Sequence, residues 1–460
     1  MPTDCSATQL VFEGFLGRQV VGDFDGGAVT SNAGALLLRE ADRVIGLTQK
    51  VAGAVRDGRN PDLTIHSLST LVAQRIHGQA LGYEDVNDHD ALRHDPVLAL
   101  LSDTSEPVHK GVATLAGKST LQRLEQSAKS GVARYHKFEV DDAAMERVFL
   151  DIYVAAHKTP PKRIILDLDA TDIPIHGDQE GRFYHGYYRN YCYLPLYIFD
   201  GRHLLVAKLR KADIDAAAGA EQEIARIVAH VRRAWPEVEI WLRADSGFTR
   251  DALMVWCEAN KVEYVFGMAK NKRLTAMLTE ELAQAKATFD ETKKPARVFK
   301  ELRYRTLDSW SEERRVVAKA EHLEKGANPR FIVTSLSAEQ FNGRDLYEKT
   351  YCARGEMENR IKECQLDLFA DRTSASEMRA NQIRLWFASL AYVLVDAVRR
   401  LGLEGTKLEK ATCGTIRLQL LKLGAVVTRS VRRIRIAFAT ATPAKDAFAL
   451  AHSRLRSIAA

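Results

Sequence analysis

The pattern of hydrophobic and polar positions predicts two buried strands that end in aspartates. In RIILDLDATD, which begins at Arg163, a short apolar run is followed at once by Asp167, Asp169 and Asp172. In VEIWLRADSG, alternating apolar residues lead to Asp245 before a Ser-Gly turn. Such runs indicate buried strands, and carboxylates there cost free energy to bury unless they hold a cation or a proton. Taken alone, the first segment fits a strand followed by an Asp-rich turn about equally well.

A third segment, LYEKTYCARGEMENRIKECQ over residues 346–365, has the composition of a helix. Tyr351, Arg354, Glu358 and Lys362 stand at offsets of 0, 3, 7 and 11. At about 100° per residue these offsets bring the four side chains onto one helix face. A face of mixed charge is usually a solvated surface, and its combination with two strand-end aspartates is what favours a functional interpretation.

The order of predicted elements indicates an α/β protein with several regions. A mainly helical region over residues 1–158 ends at a Pro-Pro pair, which stops a helix. The order strand, hairpin, helix, strand, helix, strand then predicts a mixed sheet with helices on its faces. We assign this mixed-sheet core to residues 159–270 and 338–400, with a β-rich insertion over 271–337 and a basic C-terminal region over 401–460.

The predicted insertion carries clustered cations with aromatic residues among them. Arg303 and Arg305 flank Tyr304, and Trp310 follows shortly afterwards. Basic residues interleaved with aromatics fit a nucleic-acid surface. A solvated edge strand protected by basic side chains fits equally well.

Composition sets broad limits on the class of protein. The chain has 460 residues, 46% hydrophobic and 27% charged, which is ordinary for a soluble protein of two to four domains. Lys and Arg total 66 against 60 Asp and Glu, for a formal net charge of +6. This mild positive excess is compatible with a nucleic-acid partner but is weak support by itself.

Cysteine spacing and apolar runs indicate a cytoplasmic protein without a membrane span. The 6 cysteines include no C-x-x-C pair, which argues against a zinc ribbon or a disulfide framework and suits a reducing compartment. The segment MPTDCSATQL has neither a basic nor an apolar signal region. The longest apolar stretch, Leu385 to Val398, is too short to span a bilayer and is expected to be a buried core helix.

Three carboxylates from separate segments are typical of divalent-metal chemistry. Mg²⁺ prefers hard oxygen ligands and commonly takes one or two carboxylates together with substrate phosphate. Two such ions about 3.5–4 Å apart activate an attacking oxygen and stabilise the leaving one. Arg354 and Lys362 would meet phosphates beside the metals, the arginine bidentately and the lysine as a point charge. The constellation predicts phosphodiester hydrolysis or strand transfer, with Mg²⁺ as cofactor and Mn²⁺ as an alternative.

Three motifs occur in a fixed order: DLDATD with Asp169, RADSGF with Asp245, and Y-x-x-R-x-x-x-E at Tyr351, Arg354 and Glu358. In this order, with a β-rich insertion before the glutamate, they resemble a DDE transposase of bacterial insertion sequences. More narrowly, the chain resembles the insertion sequence thirteen-eighty family, within the group that has the Y-R-E signature. GYEDVNDHD, KSTLQRLE and YCYLPLYIFDGRHLL also resemble that family, so the likeness covers most of the chain.

The resemblance implies a ribonuclease-H-like core and Mg²⁺-dependent cleavage and joining at the inverted-repeat ends of double-stranded DNA. By the same resemblance, Asp169, Asp245 and Glu358 are the metal ligands, while Tyr351 and Arg354 position the terminal phosphates. It also implies a homodimer on paired ends and a target DNA as second substrate. The protein would then be found with the bacterial nucleoid in the cytoplasm.

Two further roles follow from the resemblance with less support. The signature usually places a lysine seven residues after the glutamate, where this chain has Gln365. Lys362, one turn earlier, is the candidate replacement. Trp310 is either a core residue or a platform on which an unpaired base stacks near a DNA end.

Recognition of the DNA ends is expected to involve the N-terminal helices, the insertion and the basic C-terminal region, because cations cluster in each. For the N-terminal region, a helical bundle with ordinary surface cations fits about equally well. Phosphate contacts of this kind predict steep salt dependence of binding.

Two alternatives remain at this stage. DLDAT also fits the D-x-D-x-T loop of haloacid-dehalogenase-like phosphatases, with Asp167 as nucleophile and Asp169 as general acid. That interpretation leaves Asp245 without an adjacent acid and leaves the Y-x-x-R-x-x-x-E helix unexplained. The other alternative is a catalytically inactive relic of a mobile element that still binds DNA.

Overall fold

The structure is a computed structural model, and it describes residues 9–104, 114–127 and 136–459. These residues form two compact units. The first unit contains the described parts of 1–44, 60–122 and 397–460. The second unit contains the described parts of 45–59 and 123–396.

The strands, in chain order, are β1 Leu10–Phe15, β2 Arg18–Gly22, β3 Val29–Thr30, β4 Val55–Asp57, β5 Phe138–Val140, β6 Arg163–Ala170, β7 Ile173–Pro174, β8 Phe183–His185, β9 Asn190–Tyr193, β10 Leu196–Asp200, β11 His203–Lys208, β12 Glu239–Ala244, β13 Glu263–Met268, β14 Ala296–Tyr304, β15 Arg314–Leu323, β16 Gly326–Ala327, β17 Arg330–Thr334, β18 Ala425–Ser430 and β19 Arg433–Phe438. The α-helices are α1 Leu36–Ile45, α2 Leu47–Gly53, α3 Leu68–Ala80, α4 His89–Leu92, α5 Pro96–Leu101, α6 Lys118–Glu125, α7 Asp142–Ala155, α8 Ala220–Ala234, α9 Asp251–Ala259, α10 Lys272–Ala276, α11 Thr279–Thr292, α12 Gly343–Asp345, α13 Gly355–Lys362, α14 Met378–Gly402, α15 Cys413–Ile416 and α16 Lys445–Ala459.

A mixed sheet forms the centre of the second unit, with nine strands in the part of the chain that the structure describes. Its order is β11-β10-β6-β12-β13-β17-β15-β14, and β16 pairs with β15. Strands β6, β12 and β13 are parallel to one another, and the other pairings are antiparallel. β6 and β12 are mostly buried, as expected for parallel strands covered on both faces. The predicted α/β class with a mixed sheet is confirmed.

The strands of the predicted insertion extend this same sheet. After α10 and α11, strands β14, β15 and β17 continue the hydrogen-bonded ladder outward from β13. The boundaries of the insertion therefore remain a prediction, because no break in the sheet marks them.

Side chains on the two faces of β12 enter different hydrophobic clusters, as the two-residue period of a strand requires. Ile240 and Leu242 join the larger cluster, to which α8 and α9 contribute. Trp241 joins a second cluster that includes Leu346 and Tyr347. The segment that carries the Y-x-x-R-x-x-x-E motif is thus held against this second face of the sheet.

The first unit is mainly helical and also contains the antiparallel sheet β19-β18-β3. Its core includes the neutral polar cluster of Gln74 and His89, whose side chains lie 3.0 Å apart at Nε2 and Nδ1. Gly34 packs so closely on the Leu420 carbonyl that a Cβ would overlap it. Among the helices described, including α14 with its apolar stretch, none is both long and apolar enough to cross a membrane.

Candidate active site

Asp169 and Asp245 come to the same edge of the sheet. β6 and β12 are parallel, with Leu168 paired to Ala244, so the next position of each strand brings the two aspartates side by side. Neighbouring strands lie about 4.8 Å apart. Asp245 then begins the 3₁₀ turn Ser246–Phe248, and its Oδ1 accepts the backbone N–H of Gly247 at 2.9 Å.

Asp167, two residues before Asp169, has a structural role. Its carboxylate accepts two hydrogen bonds from the guanidinium of Arg243, at 2.5 and 2.7 Å. The two side chains are only 4% and 10% exposed. Arg243 also donates to the carbonyl of Thr350 at 2.5 Å. This buried pair ties both acid-bearing strands to the motif segment, and it occupies the carboxylate that a phosphatase would need as nucleophile, so the phosphatase alternative is not favoured.

The segment predicted as one regular helix over residues 346–365 is interrupted, and that prediction is corrected. It consists of a π-helical turn at Leu346–Tyr351, a 3₁₀ turn at Cys352–Arg354, α13, and a second π-helical turn at Glu363–Asp367. Turns of different pitch change the angle between successive side chains. Tyr351 and Arg354 are half-buried, whereas Glu358 and Lys362 are exposed.

Arg354 lies between two of the predicted acids. Its Nη1 is 3.7 Å from Oδ1 of Asp169, and its Nη2 donates to Oε1 of Glu358 at 3.1 Å. Burial raises the pKa of Asp169 to about 6; the charge of Arg354 lowers this pKa, and the charges of Asp245 and Glu358 raise it. The three predicted acids are therefore electrostatically coupled, with a guanidinium among them.

Tyr351 lies over β13 beside the same acids. A Cβ built on Gly267 would overlap the Tyr351 hydroxyl and would lie 3.2 Å from the backbone nitrogen of Ser246. Burial raises the pKa of Tyr351; the charge of Arg354 lowers it and that of Asp245 raises it. The absence of a side chain at Gly267 thus makes room for the tyrosine next to the turn that Asp245 begins.

The two candidates for the lysine role are placed differently. Lys362 is exposed on α13, one turn after Glu358. Gln365, at the position where the signature has lysine, is half-buried, and its Nε2 donates to the carbonyl of Asp172 at 3.3 Å. Gln365 therefore holds the loop that follows β6.

The structure does not bring Arg303, Arg305 or Trp310 to these acids. β14 is five strands away from β6, which corresponds to roughly 24 Å at 4.8 Å per strand. It also runs antiparallel to β6, so Arg305 and Trp310 follow the end of β14 that points away from the acidic edge. Trp310 is only 6% exposed and packs edge-to-face on Tyr304. The core interpretation of Trp310 fits this placement, and stacking of a base on it has no support here.

The donor chemistry of the site fits a hard divalent cation. Three carboxylates are oxygen ligands of the kind that Mg²⁺ and Mn²⁺ accept. The pKa of Asp169 is raised chiefly by burial, and the charges of Asp245 and Glu358 add to this effect. In this conformation, however, no three His, Cys, Asp or Glu side chains of the described ranges are grouped closely enough to hold a metal ion. Arg354 supplies the positive charge in their midst.

Two residues of this region were not singled out from the sequence. Arg243 interrupts an otherwise apolar strand two residues before Asp245, which is a signal for a buried ion pair. Tyr188 donates from its hydroxyl to the carbonyl of Ala170 at 3.3 Å. Burial raises its pKa, and the charges of Asp172 and Asp169 add to this effect. Only the richness of its loop in tyrosine could have drawn attention to it.

The family comparison agrees with the class that this site suggests. The family model described as transposase DDE domain group 1 matches residues 12–460. Because the match extends over most of the chain, the protein belongs to this family and is a transposase of the DDE class.

The solved structures that are similar to this chain include a piggyBac transposase synaptic complex with hairpin DNA determined by cryo-EM. The identity is 12% and the TM-score 0.40, with 84% of this chain and 79% of that chain covered. No curated protein matches this chain. The narrower insertion sequence thirteen-eighty grouping and its Y-R-E signature stay predictions.

Proposed function

We propose that this transposase cuts DNA at the inverted-repeat ends of an insertion sequence and joins the exposed 3′-OH ends to target DNA. One observation carries the proposal: Arg354 bridges Asp169 and Glu358 at the edge of the sheet where Asp245 also lies. Three coupled carboxylates with an arginine among them suit a reaction between phosphate oxygens and divalent ions. On this account the sheet is the central part of a ribonuclease-H-like core.

In this proposal Asp169, Asp245 and Glu358 hold the divalent ions, with Mg²⁺ as the natural ion and Mn²⁺ as a substitute. Such ions lower the pKa of an attacking hydroxyl or water and stabilise charge on the leaving oxygen. The half-buried guanidinium of Arg354 would exchange its carboxylate partners for the DNA phosphate, which it can bind bidentately. The Tyr351 hydroxyl donates to a phosphate oxygen, and the exposed Lys362 neutralises the adjacent backbone.

The partners follow from the same reaction. Double-stranded DNA with terminal inverted repeats is the first substrate and target DNA is the second. Cutting at two paired ends favours a homodimer, and a protein with these substrates would work at the nucleoid of a bacterial cytoplasm rather than at a membrane.

The test uses the full chain and the DNA that flanks its gene. Duplexes carrying the flanking inverted repeats, or shuffled repeats as the control, are incubated with Mg²⁺ or with a chelator, and every nick is mapped on each strand. We expect nicks at the repeat ends that need the divalent ion, followed by joining to a plasmid target. Binding of the repeats without any metal-dependent nick would favour the inactive relic and overturn the proposal.

A further inference from the structure

A hairpin rich in tyrosine stands next to the acidic edge of the sheet. It comprises residues 183–193, with β8 and β9 paired antiparallel in the register Tyr184 to Tyr191; we call it the tyrosine hairpin. β9 pairs in turn with β7, which follows β6 closely in the chain. The Tyr188 hydroxyl donates to the carbonyl of Ala170, the residue after Asp169. The hairpin is thus fixed to the strand that carries the first predicted acid.

One side of the tyrosine hairpin is anchored in the protein. Cys192 and Tyr193 are buried. The Tyr193 hydroxyl donates to the carbonyl of Glu180 at 2.6 Å. Because of this anchoring, the aromatic rings on the other side of the hairpin have a fixed backbone support.

The other side exposes aromatic rings to solvent. Tyr187 is 83% exposed, and Phe183, Tyr184 and Tyr191 are each about half exposed. The Tyr184 and Tyr191 rings lie edge-to-face at 5.5 Å, and Tyr187 lies at 87° to the half-buried Tyr188. Exposed rings concentrated in one short segment indicate a binding surface, since scattered single apolar residues are the norm elsewhere.

The charge of the same segment indicates what it binds. Residues 182–193 contain Arg182 and Arg189 but no Asp or Glu. Arg189 is exposed at a backbone φ of 57° in the connection between β8 and β9. The Arg182 guanidinium lies 4.8 Å from the centre of the Tyr191 ring and also pairs with Asp178. Aromatic faces with arginines and no carboxylates match a polyanion that carries flat bases.

We propose that the tyrosine hairpin holds unpaired nucleotides of the DNA strand next to the bond that is cut. Bases within a duplex are already stacked on each other, so outward-facing rings such as Tyr187 gain most from bases that have lost their partners. The hairpin is attached beside Asp169. The DNA strand whose bases it holds is therefore the strand whose phosphate reaches the acids. This inference rests on the proposed function, and it adds a preference for frayed or opened ends.

The experiment compares binding to two DNAs of the same sequence, one fully paired and one with unpaired nucleotides at the repeat end. The full chain carries Asp169→Asn to prevent cutting, and 2-aminopurine at an unpaired position reports stacking. Tyr187→Ala should weaken binding of the unpaired DNA roughly 5-fold to 150-fold, the contribution of one stacked base, and abolish the fluorescence quenching. Tyr187→Phe keeps the ring and should bind within about 3-fold of the parent, since stacking tolerates loss of the hydroxyl.

Phe24→Ala is the matched control, because Phe24 is an aromatic residue that is 91% exposed in the first unit; it should leave binding and quenching unchanged. Equal binding of unpaired DNA by Tyr187→Ala and its parent would overturn the inference. The proposed function would still stand in that case if the wild-type protein cuts the DNA. Loss of self-association with unchanged DNA binding would assign the hairpin to a second copy of the chain and overturn it as well. A wild-type protein that neither binds nor nicks either DNA would instead overturn the proposed function.

Discussion

The guanidinium of Arg354 lies 3.7 Å from the carboxylate of Asp169. The same side chain pairs with Glu358 at 3.1 Å, so one arginine neutralises two of the three acids on which the proposed chemistry depends. It stands where positive charge is needed, and a divalent ion must compete with it. The proposed catalytic role of these acids therefore requires Arg354 to exchange its carboxylate partners.

Replacement of Arg354 by Gln should affect metal and DNA in opposite directions. Without the competing cation, Mn²⁺ should bind the free protein about 2-fold to 5-fold more tightly, the equivalent of a partly exposed ion pair. DNA cleavage should fall at least about tenfold, because a bidentate phosphate contact is lost. Calorimetric titration and nicking rates measure the two effects. The control is Lys349→Gln, whose exposed lysine pairs with Asp345, and weaker Mn²⁺ binding by the Arg354 variant would contradict this account.

A methyl group at Gly267 should disturb Tyr351. The added Cβ would overlap the tyrosine hydroxyl, and overpacking of this kind typically costs about 1–3 kcal/mol. We expect Gly267→Ala to unfold at lower urea concentration and to cut DNA more slowly. Adding Tyr351→Phe, which removes the hydroxyl, should restore part of the stability. Gly53→Ala serves as control because no atom of the described residues lies within 4 Å of its added Cβ. No recovery in the double variant would exclude the overlap as the cause.

The buried pair of Asp167 and Arg243 should show strong coupling. Arg243→Met leaves a buried carboxylate without its partner and should lower the free energy of unfolding by about 3–5 kcal/mol. Combining it with Asp167→Leu should recover much of that loss, since an apolar pair of similar volume avoids the unpaired charge. The comparison is Glu239→Gln, which breaks the exposed pair with Arg163 between the same strands and should cost less than about 1 kcal/mol. Additive effects of the two buried substitutions would contradict the pairing.

His89 should make the first unit sensitive to acid. Burial lowers the pKa of His89 to about 3; the charge of Arg75 lowers it further and that of Asp90 raises it. In the unfolded chain the imidazole of His89 binds a proton near pH 6.5, whereas in the folded chain it stays neutral down to about pH 3. The free energy of unfolding therefore keeps its full value above pH 6.5 and declines as the pH falls towards 3. Between pH 7.5 and 5.5 the wild type should lose about 1 kcal/mol more than His89→Gln. Urea unfolding at both pH values checks this, and equal losses would count against a neutral buried His89.

Much of the architecture could be predicted because its signals are local. Apolar runs ending in acids identified β6 and β12, and the alternation of elements identified a mixed sheet. The confirmed family membership follows from motifs that these same segments carry. These features depend on side chains within a few residues of each other, which a sequence displays directly.

The remainder depends on contacts between distant segments. The π-helical and 3₁₀ turns around Tyr351 and Arg354 arise where the segment packs on the sheet. The residue pattern did not predict them. Arg303 and Arg305 precede the motif segment in the chain, and the position and antiparallel direction of β14 place them far from Asp169. Arg243 links the two acid-bearing strands only because it forms a buried ion pair with Asp167 on the neighbouring strand.

Strand-resolved nicking of the inverted-repeat duplex by Asp169→Asn, beside the wild type and the exposed-site control Asp308→Asn, tests the central claim most directly. We expect the Asp169 variant to bind the repeats with unchanged affinity. Its nicking rate should fall by a factor of roughly a thousand or more, because metal-assisted chemistry supplies several kcal/mol of transition-state stabilisation. The Asp308 variant should cut like the wild type. Cutting by Asp169→Asn at the wild-type rate, with the same divalent ion, would contradict the assignment of these carboxylates as the catalytic centre.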